Sequence, residues 1–198
     1  KDVVEEQLFA RRRNLFTDLS VVFVDTTSLY FEGRGGEIIG QRGHSKDYRP
    51  QLNQMILGVV VDQQGRPVCS EMWPGNTADV TTLIPVVDRL RRRFGIGRVC
   101  VVADRGMISA ETVAALEQRG LEYILGARER TSKEVREIVL ADEKPFLPLV
   151  VSRTNRTDTE LEAKEVKVGK RRHVVCRNLA EARRDAEIRE AVLAALRA

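Results

Sequence analysis

The chain alternates short apolar runs with polar, glycine-rich breaks, and the spacing of its apolar positions changes along its length. In residues 2–16, Val4, Leu8 and Phe9 recur at helical spacing, with Leu15 and Phe16 beyond. Acidic residues precede Arg11, Arg12 and Arg13, so the segment predicts a helix whose charges follow its dipole. Ser20-Val21-Val22-Phe23-Val24-Asp25 is an apolar run ending on a carboxylate, the pattern of a strand buried on both faces. Residues 33–50 carry Gly33, Gly35, Gly36, Gly40 and Gly43 among charges and close on Arg49-Pro50, which predicts a loop or two ragged strands around one. Gln54 to Val61 and Arg66 to Trp73 predict two strands joined by an Asp62-Gln63-Gln64-Gly65 turn, with Trp73 in the core or at its rim. After the Pro74-Gly75-Asn76-Thr77 break, Asn76 and Asp79 are expected to cap the next helix.

That helix is predicted over Ala78 to Phe94. Leu83, Val86 or Val87, Leu90 and Phe94 form its buried stripe, Arg91, Arg92 and Arg93 its solvated face, and Gly95 and Gly97 its end. Arg98 to Ala103 predicts a strand that again stops on a carboxylate, Asp104. Ser109 caps a helix over Ala110 to Gln118, Gly120 stops it, and Glu122 to Ala127 is a further strand. Strands alternating with helices imply parallel pairing through right-handed crossovers. From about residue 128 the texture changes to a short helix (Ser132 to Leu140) and three alternating strands. These are Phe146 to Arg153, Glu160 to Val168 and Arg171 to Arg177, the last two joined by a turn at Lys167-Val168-Gly169-Lys170. A helix follows from Ala180 to Ala198. The domain reading is an N-terminal helix (1–19), an α/β core (20–127) and a β-rich segment with a helix (128–198).

Composition narrows the classes. Of 198 residues, 42% are hydrophobic and 31% charged, a folded rather than disordered balance. No apolar run reaches the roughly 18 residues of a membrane span. The start at Lys1 has no signal-peptide shape and no Met, so the chain is expected to be a piece of something longer. Cys69, Cys100 and Cys176 lie far apart among apolar neighbours, which predicts buried free thiols in a reducing cytoplasm. With only His44 and His173 to add, a zinc site is not expected. The net charge of +4 is uneven: residues 1–127 hold 16 basic and 16 acidic side chains, residues 128–198 hold 17 and 13. That asymmetry permits a polyanionic partner.

Asp25 and Asp104 stand out because each closes an apolar run where a buried strand opens into a loop. Ligands of parallel sheets bind beyond the carboxyl ends of strands. If the two strands are neighbours, the carboxylates converge, and a hard divalent ion such as Mg²⁺ relieves their repulsion. The competing reading is that each Asp caps a turn.

Four motifs then point to a family. They are Phe23-Val24-Asp25-Thr26-Thr27-Ser28, Gly43-His44-Ser45-Lys46-Asp47-Tyr48-Arg49-Pro50-Gln51-Leu52, Pro74-Gly75-Asn76-Thr77-Ala78-Asp79 and Val102-Ala103-Asp104-Arg105-Gly106-Met107. In this order they resemble the DDE-class transposases of bacterial insertion sequences, most closely the IS-four-like group. The resemblance implies an α/β, ribonuclease H-like mixed sheet with flanking helices, plus part of a β-rich insertion. It implies that Asp25 and Asp104 are the first and second acids of the catalytic triad and ligands in a two-metal Mg²⁺ or Mn²⁺ site. It also implies phosphodiester hydrolysis and strand transfer at transposon ends, with double-stranded DNA as partner, a homodimer on DNA, no membrane, and a prokaryotic cytoplasmic, nucleoid-associated location.

The family's third acid is a Glu in a Tyr-x-x-Arg-x-x-x-Glu setting. That spacing is absent, since Tyr30, Tyr48 and Tyr123 all come too early, so none of Glu181, Glu187 and Glu190 is assigned the role. The chain is therefore expected to stop within the insertion and to be inactive alone. His44, Lys46, Arg49 and Arg105 are candidate DNA contacts, weighed against a solvated loop and, for Arg105, a carboxylate partner. Arg91-Arg92-Arg93 and Lys170-Arg171-Arg172 read more simply as a solvated helix face and a charged turn. Two other functions stay open: a metal-dependent phosphatase or nuclease using the two strand-end aspartates, and a non-catalytic DNA-binding remnant.

Overall fold

The computed structural model describes residues 1–12, 21–33, 36–96, 99–127, 132–152 and 159–197. The predicted positions Arg13, Leu15, Phe16, Ser20, Gly35, Gly97, Arg98, Arg153 and Ala198 lie outside them. The chain divides into two compact units, Lys1–Ala127 and Arg128–Ala198.

The first unit is built on a five-stranded sheet in the order β3-β2-β1-β4-β5. Its strands are β1 (Val21–Phe31), β2 (Asn53–Val61), β3 (Pro67–Pro74), β4 (Cys100–Ala103) and β5 (Glu122–Leu125). Pairing is antiparallel from β3 to β1 and parallel from β1 to β5. This is the mixed sheet with flanking helices that the sequence predicts. The chain meanders where its turns are short: Asp62 takes the Arg66 N–H on its side chain and Gly65 supplies φ +74. It crosses over in parallel where helices α2 (Leu83–Phe94) and α3 (Ala110–Gln118) intervene.

α2 buries Leu83, Val86, Val87, Leu90 and Phe94, each worth about 1.5–3 kcal/mol for a full side chain removed from water. Its Pro85 falls in the first turn, where a missing N–H is harmless, and Gly95 ends it in the left-handed conformation. Ser109 caps α3 by accepting from the Thr112 N–H at 3.1 Å. These helices cover one face of the sheet, meeting Val22, Val24, Val60, Val101 and Ala103. α1 (Asp2–Arg12) buries none of its own residues but sets Phe9 edge-on to Phe94 at 4.8 Å.

Four expectations change here. β1 is not buried on both faces: Val22 and Val24 are buried, while Phe23 is 43% exposed. It also runs on past Asp25 to Phe31, because β2 keeps pairing with it as far as Asn53. The predicted helix over Ala78 to Phe94 begins instead as a 3-10 turn (Asp79–Thr81), and neither that turn nor α2 has a side-chain cap. Arg93 is not solvated. It pairs with Glu5 at 2.9 Å and Glu6 at 2.8 Å on α1 and donates to the Asp2 carbonyl. The cysteines are free as predicted, but only Cys69 is buried; Cys100 is half-buried and Cys176, on an edge strand, is exposed. Burial, with the negative charges of Glu5 and Glu71, pushes the Cys69 thiol up to about 12.

The second unit is a three-stranded antiparallel sheet in the order β6-β7-β8, made of β6 (Leu147–Val151), β7 (Thr159–Val168) and β8 (Arg171–Arg177). The predicted turn is present, with Gly169 at φ +59. The short helix predicted over Ser132 to Leu140 is present as a π-helical turn (Val135–Val139), which buries Val135 and Val139. Phe146 lies between two cations, Lys164 at 5.3 Å and Arg177 at 3.9 Å from its ring centre. Helix α4 (Leu179–Arg197) has no buried residue.

Candidate active site

The parallel ladder between β1 and β4 ends at the pair Val24↔Ala103. Asp25, within β1, and Asp104, one residue past the end of β4, come next. Neighbouring strands lie about 4.8 Å apart, so the register brings the Asp25 and Asp104 backbone positions alongside each other just beyond the last parallel pair. Both residues are exposed. Each is held by the backbone N–H of the residue after it: Thr26 donates to Asp25 Oδ1 at 2.7 Å and Arg105 to Asp104 Oδ1 at 2.6 Å. Asp104 has extended dihedrals (φ −74, ψ 159) and opens a 3-10 turn (Arg105–Met107) whose Met107 is buried. That turn is anchored in the core while its first carboxylate stays at the surface.

Two adjacent carboxylates with no cation partner among the described residues are hard oxygen donors that suit Mg²⁺ or Mn²⁺. Among the described residues no group of three or more His, Cys, Asp or Glu side chains is gathered for an ion. The pair therefore fits as part of a coordination shell.

The remaining candidates differ in how they are held. His44 is exposed, and its carbonyl accepts from Gln54 Nε2 at 3.1 Å. Arg49 is exposed, with its guanidinium 5.9 Å from the Tyr30 ring centre and 3.6 Å from Glu32. Arg105 is exposed beside Asp104. Lys46 is exposed too, but its ammonium is engaged: it reaches the Thr26 carbonyl at 2.8 Å, Thr26 Oγ1 at 2.9 Å and Asp79 Oδ2 at 3.0 Å.

Asp79 is the residue sequence reasoning misassigned. It is not a helix cap, because its Oδ1 accepts from Thr26 Oγ1 at 3.0 Å and its Oδ2 meets Lys46. It also lies near the turn that follows the second aspartate: a Cβ on Gly106 would stand 3.7 Å from Asp79 Oδ2 and 4.0 Å from Asp104 Oδ2. The signal in the sequence was the motif containing Asp79, which the resemblance had already singled out.

The loops that carry Lys46 and Asp79 are fastened together. Gln54, fully buried at the start of β2, donates to the carbonyls of both His44 and Gly75. A Cβ on Gly43 would lie 2.0 Å from the Gly75 oxygen, and one on Gly75 would lie 2.0 Å from the Gln54 oxygen and 2.2 Å from that of Gln41. Only glycine allows this approach.

A model of the transposase DDE domain family matches residues 16–191. No curated protein matches the chain. Among solved structures, the chain is similar to a Mos1 transposase paired-end complex with left transposon end, at 21% identity over 62% of this chain and 40% of that one, TM-score 0.37. It is similar to a piggyBac transposase synaptic complex with hairpin DNA, at 14% identity over 76% and 31%, TM-score 0.46. It is also similar to the Mos1 transposase catalytic domain with Raltegravir and Mn, at 18% identity over 62% and 55%, TM-score 0.36. The chain thus spans between 31% and 55% of the length of these three structures.

Proposed function

The chain belongs to the transposase DDE domain family, and on that premise we propose that Asp25 and Asp104 are the first two acids of a site that cuts and joins DNA strands at transposon ends. The observation that supports this reading is the β1/β4 register, whose last parallel pair, Val24↔Ala103, immediately precedes Asp25 and Asp104. Double-stranded DNA is the substrate, membership of the IS-four-like group the finer assignment, and a homodimer on paired ends the working assembly. Both reactions are in-line displacements at phosphorus. Water attacks a phosphodiester at the transposon end, and the freed 3′-hydroxyl then attacks a phosphodiester of the target. Divalent ions bound there, Mg²⁺ or Mn²⁺, would activate the attacking oxygen and stabilise the leaving one.

The chain's own part is to hold its donors ready. Backbone N–H groups fix one oxygen of each aspartate and leave the other for a ligand. His44, Arg49 and Arg105 are the exposed groups offered to phosphate. The third acid is assigned to no residue of this sequence, so the chain alone is inactive in cleavage while still able to bind metal weakly.

The test is Mn²⁺ titration of the 198-residue chain, read as paramagnetic broadening of the Thr26 and Arg105 amide signals. Broadening is expected at both and is lost in Asp25→Asn and in Asp104→Asn. In the natural protein carrying this chain, either substitution is expected to reduce transposon excision to background. Wild-type excision by both variants would overturn the reading.

A further inference from the structure

We propose that Lys46, Thr26 and Asp79 form a positioning cluster that sets the Asp25–Asp104 pair for metal, and that Lys46 serves this cluster instead of DNA. The inference rests on the reading of Asp25 and Asp104 given above.

Lys46 comes first because its donors are spent. An ammonium has three N–H groups, and three acceptors of this chain lie within 3.0 Å: the Thr26 carbonyl, Thr26 Oγ1 and Asp79 Oδ2. Thr26 Oγ1 in turn donates to Asp79 Oδ1 at 3.0 Å, which closes the ring of contacts. Thr26 is itself buried, at 6% exposure, so its hydroxyl needs these partners.

The cluster acts on both aspartates. Thr26 follows Asp25, and its N–H holds the Asp25 carboxylate. Beyond Val24 the β4 ladder has ended, and Lys46 fastens the Thr26 carbonyl there. On the far side Asp79 and Asp104 flank Gly106, each carboxylate within about 4 Å of the point its missing Cβ would occupy. The negative charge of Asp79 is balanced by Lys46, so Asp79 can stand beside the pair without adding a third uncompensated carboxylate. Lys46 and Asp79 arrive on different loops, and the Gln54–Gly43–Gly75 contact joins those loops at their backbone atoms, independently of either side chain.

The experiment uses the 198-residue chain, Mn²⁺ as probe, and in parallel duplex DNA binding measured across a salt series. Lys46→Met, Asp79→Asn and Thr26→Val are each expected to raise the Mn²⁺ concentration for half-broadening about tenfold or more, the usual cost of losing a group that orients a metal ligand. Thr26→Ser keeps the hydroxyl and is expected to behave as wild type. The slope of log affinity against log salt is expected to stay the same in Lys46→Met. If the single variants unfold, Lys46→Met/Asp79→Leu removes both charges together and carries the same expectation. Unchanged Mn²⁺ response in Lys46→Met, with a salt slope shallower by about 0.9, would make Lys46 a phosphate contact and overturn the proposal. Broadening that survives Asp25→Asn, or none in the unsubstituted chain, overturns the site itself. Broadening lost in Asp25→Asn but unchanged in Lys46→Met, Asp79→Asn and Thr26→Val overturns the cluster alone.

Discussion

At the scale of single residues, Gly75 shows how little slack the candidate site has. A methyl there would sit at 2.0 and 2.2 Å from two backbone oxygens, which no side-chain rotation relieves. Gly75→Ala is expected to lower the stability of the first unit by about 3 kcal/mol, the upper part of the range for overpacking, checked by thermal denaturation. Gly65→Ala is its control: nothing lies within 4 Å of the added methyl, and its cost is only that of a positive φ. The same scale explains what the sequence could and could not reveal. Asp25 and Asp104 could be singled out as candidates because each closes an apolar run on a carboxylate. Lys46 and Asp79 were recognisable as members of motifs but not as a pair. A lysine in a glycine-rich loop reads as solvated, and an aspartate after Pro-Gly-Asn-Thr reads as a cap. Only the folded chain brings them to the same threonine across 32 intervening positions.

At the scale of elements, α1 is held by charge more than by burial. Arg89 pairs with Asp2 and with Glu71 at 2.8 Å, Arg93 pairs with Glu5 and Glu6, and the Ser70 N–H and hydroxyl both donate to Glu5 at 2.9 Å. Burial alone would raise the Glu5 carboxyl, but hydrogen bonds from Ser70 and Arg93 and the Lys1 charge hold it below the usual range. For Asp2, too, desolvation is outweighed, here by Arg89, Arg93 and Lys1. A carboxyl with a depressed folded pKa contributes stability above its unfolded value and loses it as pH falls through the folded one. The first unit is therefore expected to lose thermal stability as pH drops from about 6 to below about 4. A Glu5→Gln variant should start lower and fall less, both read by circular dichroism melts. Local periodicity predicted α1 itself. It missed this docking, because the arginines on α2 meet acids more than 80 positions away.

At the scale of the whole molecule, the two units are unequally built. The first packs residues from all three helices and at least four strands around one core. In the second, the buried apolar side chains among the described residues are Val135, Val139 and Val166, with the aliphatic stem of Lys164 filling in at 5% exposure. Calorimetry is expected to show two transitions, the second unit melting first, with amide exchange fastest in β6 to β8. The change of texture near residue 128 was legible as a switch from long apolar runs to alternation. The open face of the five-stranded sheet was not, since a wholly apolar run says nothing about which side is covered. The three thiols sit at three depths, Cys176 at the surface, Cys100 halfway and Cys69 under the ionic contacts of α1. A maleimide added to the native chain meets them in that order, so alkylation at Cys69 keeps count of how often α1 lifts away, and the polypeptide carries its own clock for that event.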